Sequence, residues 1–254
     1  MHPAIFFVAL LIVILAGPAA AHDEARLPDD AAAVRQAGAE RPFKLTFGAY
    51  RYGGSFNGED LNLRYRRADT SAWIGSYRDR DFGTQTRVGV DTSWQPFAGS
   101  TLALQPSLQW ASGGFRGGSF SVELGEPWFV QAGIGRTNTR PYFNLNFDPN
   151  DALSLAAGWR DDGGRTAYLM VIRDDRLGTR QQHVHGVARW PVGDGQRLTV
   201  DVLRKTGIGD TGPVEGWGFS VGYDLGAWFA HLAYEPWQNF SAVHATRLSV
   251  GLRF

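Results

Sequence analysis

His183 and His185 stand two positions apart in the run Gln182-His183-Val184-His185-Gly186-Val187-Ala188-Arg189-Trp190. On an extended chain this spacing puts both imidazoles on one face, because strand side chains alternate. Val184, Gly186, Ala188 and Trp190 take the opposite, apolar face. The histidines and Arg189 therefore project together, toward Asp201 if the following strand pairs with this one. Two imidazoles and a carboxylate are a donor set suited to zinc or to acid–base work. They serve more commonly as a hydrogen-bond network in a polar lumen, so no metal, cofactor or catalytic residue is assigned.

Other motifs are weaker. Gly207-Ile208-Gly209-Asp210-Thr211-Gly212 spells the dinucleotide fingerprint, which requires a helix after it. Pro213 and another alternating run follow instead, so the stretch reads as a surface loop. No G-x-S-x-G occurs, and no spacing singles out one serine as a nucleophile for His231 or His244. The chain has no cysteine, which excludes disulfides, thiolate metal sites and cysteine nucleophiles. Its 25 Lys+Arg balance 25 Asp+Glu, leaving no cationic excess for a nucleic-acid partner.

The elements that must position these residues are strands. From Phe43 to the last residue the pattern has period two, as in Leu61/Leu63/Tyr65, Leu153/Leu155/Ala157/Trp159 and Phe219/Val221/Tyr223. In a water-soluble sandwich the second face would be rich in Lys, Glu and Thr. Here it carries Gly, Ser, Asn, Gln and Arg, including Arg64, Arg66, Arg87, Arg160 and Arg189 with Asp91, Glu123 and Asp201. These residues and the two histidines are the expected lining of a lumen. Trp94, Trp110, Trp128, Trp159, Trp190 and Trp228 lie near run ends and form the expected membrane girdle.

Upstream, Ala4 to Gly17 is wholly apolar and is followed by Ala19-Ala20-Ala21, which reads as a signal peptide over residues 1–21. Residues 22–42 form a polar periplasmic segment, with a short helix expected behind Asp29-Asp30. Residues 43–254 form the barrel.

The last run places Thr246, Leu248, Val250 and Leu252 at every second position and finishes on Phe254. It resembles the terminal strand of Gram-negative outer-membrane β-barrels. The resemblance implies that Leu248, Val250, Leu252 and Phe254 are an assembly signal, read by the barrel-assembly machinery and periplasmic chaperones.

The expected architecture is all-β: a transmembrane, antiparallel, up-and-down β-barrel in the bacterial outer membrane. About fifteen runs are countable, Phe143/Leu145/Phe147 among them, but a single-chain bacterial barrel needs an even number. Fourteen strands are favoured within a range of 12–16, and the short outer loops argue against a large folded-in plug. Outer-membrane lipid and lipopolysaccharide are the expected surroundings, with Arg78, Arg80 and Arg116 placed for lipopolysaccharide phosphates. The favoured function is a narrow channel for small polar or anionic solutes. An outer-membrane enzyme acting on lipid or lipopolysaccharide is the alternative, and a sealed structural or adhesive barrel is the third reading.

Overall fold

The computed structural model describes residues 41–53 and 55–254. The signal peptide and residues 22–40, with the helix expected there, lie outside the described residues. Among the described residues there are fourteen strands: β1 (Phe43–Tyr52), β2 (Ser55–Arg67), β3 (Thr70–Asp79), β4 (Gly83–Thr92), β5 (Ala103–Ala111), β6 (Phe115–Leu124), β7 (Trp128–Thr137), β8 (Ala152–Arg160), β9 (Thr166–Asp174), β10 (Gln182–Gly193), β11 (Gln196–Gly209), β12 (Gly212–Leu225), β13 (Trp228–Glu235) and β14 (Ala245–Arg253). Each pairs antiparallel with its sequence neighbours, and β1 pairs with β14 to close the barrel.

Closure is finished at the start of β1 and just past the end of β14. The Phe43 N–H donates to the Phe254 carbonyl at 2.9 Å, and the Phe254 N–H returns the bond at 3.0 Å. Their rings stack at 5.6 Å. A closed barrel leaves no unpaired strand edge, which is what a spanning sheet requires in hydrocarbon.

The alternation resolves into two faces. Outward side chains form an apolar belt in which Ile74, Val130, Leu155 and Leu169 are 52–64% exposed. So continuous an apolar surface is costly in water and suits a bilayer. Strands of 8–14 residues match the roughly 9–11 that a tilted strand needs to cross. Pro106 sits within β5 without breaking the sheet, because the ladder between β4 and β5 runs only from Arg87↔Ala111 to Asp91↔Ser107 and asks nothing of the missing N–H.

The end of the barrel where β1 begins and β14 ends has tight turns apart from the connection 93–102, whereas the opposite end carries the long connections 138–151 and 236–244. Three sequence expectations need correcting here. Phe143/Leu145/Phe147 is not a strand but part of the connection between β7 and β8, which folds into the lumen; it was the surplus run. Its alternation reflects Leu145 and Phe147 being buried, at 2% and 4% exposed, against the inner wall rather than pairing in a sheet. The expectation that no large segment would fold inward fails for the same reason. The Gly207–Gly212 stretch is likewise no loop: β11 runs to Gly209 and β12 starts at Gly212, with Asp210 and Thr211 as the turn.

Candidate functional site

The lumen is organised by the inward segment 138–151. Tyr142 stacks on Phe115 of β6 at 3.9 Å, and Phe143 stacks on Tyr77 of β3 at 4.3 Å. Gln85 of β4 binds the Phe143 backbone at both its N–H and its carbonyl. Further along, the Leu145 carbonyl accepts from Arg247 of β14 at 3.0 Å, and the Phe147 ring meets Tyr50 of β1 edge-on. Asp148 then reaches His183 and His185 on β10. In a ring of fourteen, β3 and β10 lie seven places apart, so the segment spans the lumen from one side to the other.

The base of the segment is fixed where it meets β8. Asp151 accepts from the Thr137 N–H at 3.1 Å, from the Thr137 hydroxyl and from Arg176 Nη1 at 2.7 Å. Burial alone would raise its carboxyl, but these donors outweigh it and hold the group below the usual carboxylate range. The second inward connection, 236–244, fills space beside the first. Asn239 Nδ2 donates to the Asn144 carbonyl, and Phe240 stacks on His183 at 5.3 Å.

Charged residues of the wall pair along it. Arg64 of β2 binds Asp91 of β4, and Arg87 of β4 returns to Asp60 of β2, both at 2.8 Å and both passing over β3. The second crossing is possible because Gly75 lies beneath it: a Cβ there would come 2.9 Å from Asn62 Nδ2 and 3.2 Å from Arg87 Nε. Arg160 of β8 reaches Glu123 of β6 at 2.5 Å, passing over β7 with its guanidinium 4.2 Å from the Phe129 ring centroid. Asp224 is held by Arg197 at 2.9 Å and Arg253 at 2.7 Å.

Of the residues singled out in the sequence, Arg64, Arg66, Arg87, Asp91, Glu123, Arg160, His183, His185, Arg189 and Asp201 all lie on the inward face of their strands. The structure gathers His183, His185 and Asp201 with Asp148, leaves Arg64, Arg87, Asp91, Glu123 and Arg160 in separate pairs, and places Arg66 near the end where β1 begins. Trp94, Trp110, Trp128 and Trp228 are 42–73% exposed on the outer surface. Trp190 and Trp159 also face outward, and Trp128↔Trp159 are directly paired across β7 and β8. Of the six, Trp110 alone stands toward the long-connection end. Leu248, Val250 and Leu252 point outward on β14.

Sequence reasoning missed Asp148, Gln85 and Tyr142. All three matter through the inward segment, and the signal for it was the odd count of about fifteen runs, with Phe143/Leu145/Phe147 among them.

One part of the wall differs from the rest. Near mid-strand on β5 to β8 the inward residues are small, namely Ser107, Ser119, Ser121, Gly133 and Ser154. Ser119 is water-exposed although it points inward, and its hydroxyl meets that of Ser107 at 2.7 Å. From β7 and β8 on to β10, Phe129, Ala156, Tyr168, Met170 and Val187 form an apolar inner cluster.

This arrangement is that of an outer-membrane type of β-barrel. The outer membrane protein Omp33 of Acinetobacter baumannii has a similar fold, with a TM-score of 0.55 over 84% of this chain and 98% of that one at 9% identity. A KdgM porin structure aligns over 83% and 99% with a TM-score of 0.47 and 9% identity, and Salmonella typhi OmpF over 84% and 98% with 0.45 and 9%. No family model matches the sequence, and no curated protein matches it.

Proposed function

We propose that this protein is a narrow, porin-like channel of the bacterial outer membrane, passing small polar or anionic solutes. The observation that carries the reading is Ser119: an inward side chain at mid-barrel, exposed to water, on a wall of serine and glycine. Space left by such small residues is where water and solute pass, and fourteen strands enclose more of it than the eight whose interior side chains alone can fill. The inward segment 138–151 narrows the path from the long-connection end, which corresponds to the cell exterior. Because Arg64, Arg87 and Arg160 are matched by carboxylates along the wall, any preference for anions is mild.

In this reading the partners are outer-membrane lipid and lipopolysaccharide, with Arg78, Arg80 and Arg116 toward the exterior rim. The strand ending in Leu248, Val250, Leu252 and Phe254 engages the assembly machinery and chaperones.

The test is current through a planar bilayer holding the detergent-folded protein, with unequal salt on the two sides. Discrete steps are expected, together with a lower unit conductance in Ser119→Trp. A correctly folded but electrically silent barrel overturns the channel reading.

A further inference from the structure

We infer that Asp148, His183 and His185 form a binding site for a divalent transition-metal ion, zinc by preference, within the barrel. Their ligand atoms lie within 4.8 Å of one another, and they come from two elements, the inward segment and β10. The separation of Asp148 Oδ1 from His185 Nε2 is 3.2 Å. Ligand bonds of about 2.0–2.2 Å in a tetrahedral zinc site put neighbouring donors a little over 3 Å apart, so small side-chain rotations suffice to admit the ion.

The surroundings favour an ion as well. Asp201 Oδ2 lies 3.0 Å from His185 Nδ1, on the far side of the ring from Asp148. A carboxylate on the outer nitrogen fixes the imidazole tautomer and leaves Nε2 to coordinate, the usual support of a metal-bound histidine. His185 is thus flanked by a carboxylate at each nitrogen, and a cation between Nε2 and Asp148 lets the ring stay neutral. His183 is fully buried, and its Nε2 has no hydrogen-bond partner, so Nδ1, facing Asp148, is its one engaged donor. Asp148 and Asp201 carry two negative charges toward a divalent ion, while the cation opposite His183, Lys205, is matched by its own carboxylate partner, Glu235. Mixed nitrogen and oxygen donors select zinc, copper or nickel over magnesium or calcium. A cavity of about 20 Å³ bordered by Asp148, His185, Asp201 and Ser220 has room for roughly one water as the fourth ligand.

Metal binding does not require that the barrel conduct, so this inference and the channel reading fail separately. The experiment is calorimetric titration of the detergent-folded chain with zinc chloride. One ion per chain is expected, with affinity lowered at least tenfold in both His183→Ala and Asp148→Asn and unchanged in His244→Ala, whose histidine is exposed and elsewhere. Absence of binding at micromolar zinc, or binding that both site variants retain, overturns the site. Should a variant fail to fold, cobalt titration of the unaltered chain decides. The intense visible absorption of a four-coordinate ion supports the site, and the faint absorption of octahedral cobalt overturns it.

Discussion

Gln85 holds Phe143 at both of its backbone polar groups: the Phe143 N–H donates to Gln85 Oε1 at 2.8 Å, and Gln85 Nε2 donates to the Phe143 carbonyl at 3.0 Å. A single side chain thereby imitates a strand partner for a segment that has none, and Gln85 is itself 1% exposed. In Gln85→Leu both backbone groups lose their partner, at a cost of roughly 1–3 kcal/mol for the site. The expected result is a fluctuating inward segment, seen as added open-channel noise and faster proteolysis within 138–151 while the barrel stays folded.

The outward face is tested at Leu155, 63% exposed near the middle of β8. Leu155→Arg should destabilise the folded barrel by roughly 2–4 kcal/mol in denaturant titrations from lipid vesicles, since the charge meets hydrocarbon. Ser154→Arg, one residue away on the inner face, should cost far less stability and instead reduce conductance. Equal stability losses at the two positions would mean the faces are assigned wrongly.

Gly75 tests the crossing ion pairs. In Gly75→Val the new side chain occupies the path of Arg87 toward Asp60, whose side chains are 9% and 8% exposed. Separating buried partners typically costs about 3–5 kcal/mol. The measurement is the urea midpoint of the folded barrel, and Gly75→Ala should fall between the valine variant and the wild type.

Acid should release the base of the inward segment. The Asp151 carboxyl lies below its ordinary value when folded, so its contribution is complete above the unfolded value near 4 and is lost as pH falls through the folded one. Cleavage by pepsin between 138 and 151 is expected to accelerate as the pH is lowered from about 4. In Asp151→Asn the segment should be cleaved quickly throughout and show less of this pH dependence.

Much of the barrel was legible because one residue in two must meet lipid, and that demand is written into every strand. The period-two runs at Leu61/Leu63/Tyr65 and Leu153/Leu155/Ala157 have direct counterparts in β2 and β8. The inward segment was not legible, since residues packed on the inside of a barrel obey no lipid constraint. Phe143, Leu145 and Phe147 repeat every second position as a strand would, yet their partners are Tyr77, Arg247 and Tyr50 on three different strands. His183 and His185 announced a shared face through their spacing alone. Asp148, 35 residues upstream of His183, carried no mark linking it to them.

The span from Gln85 and Tyr77 on one side to His183 and His185 on the other has a mechanical meaning. A hollow cylinder squeezed sideways yields by flattening into an oval, and neighbouring strands resist this only weakly because each pair can hinge along its length. A member fastened at opposite points of the wall works as a tie-rod and keeps the mouth round under the lateral pressure of the surrounding bilayer. Cutting either fastening therefore changes the cross-section of the whole opening, including the serine-lined stretch of β5 to β8.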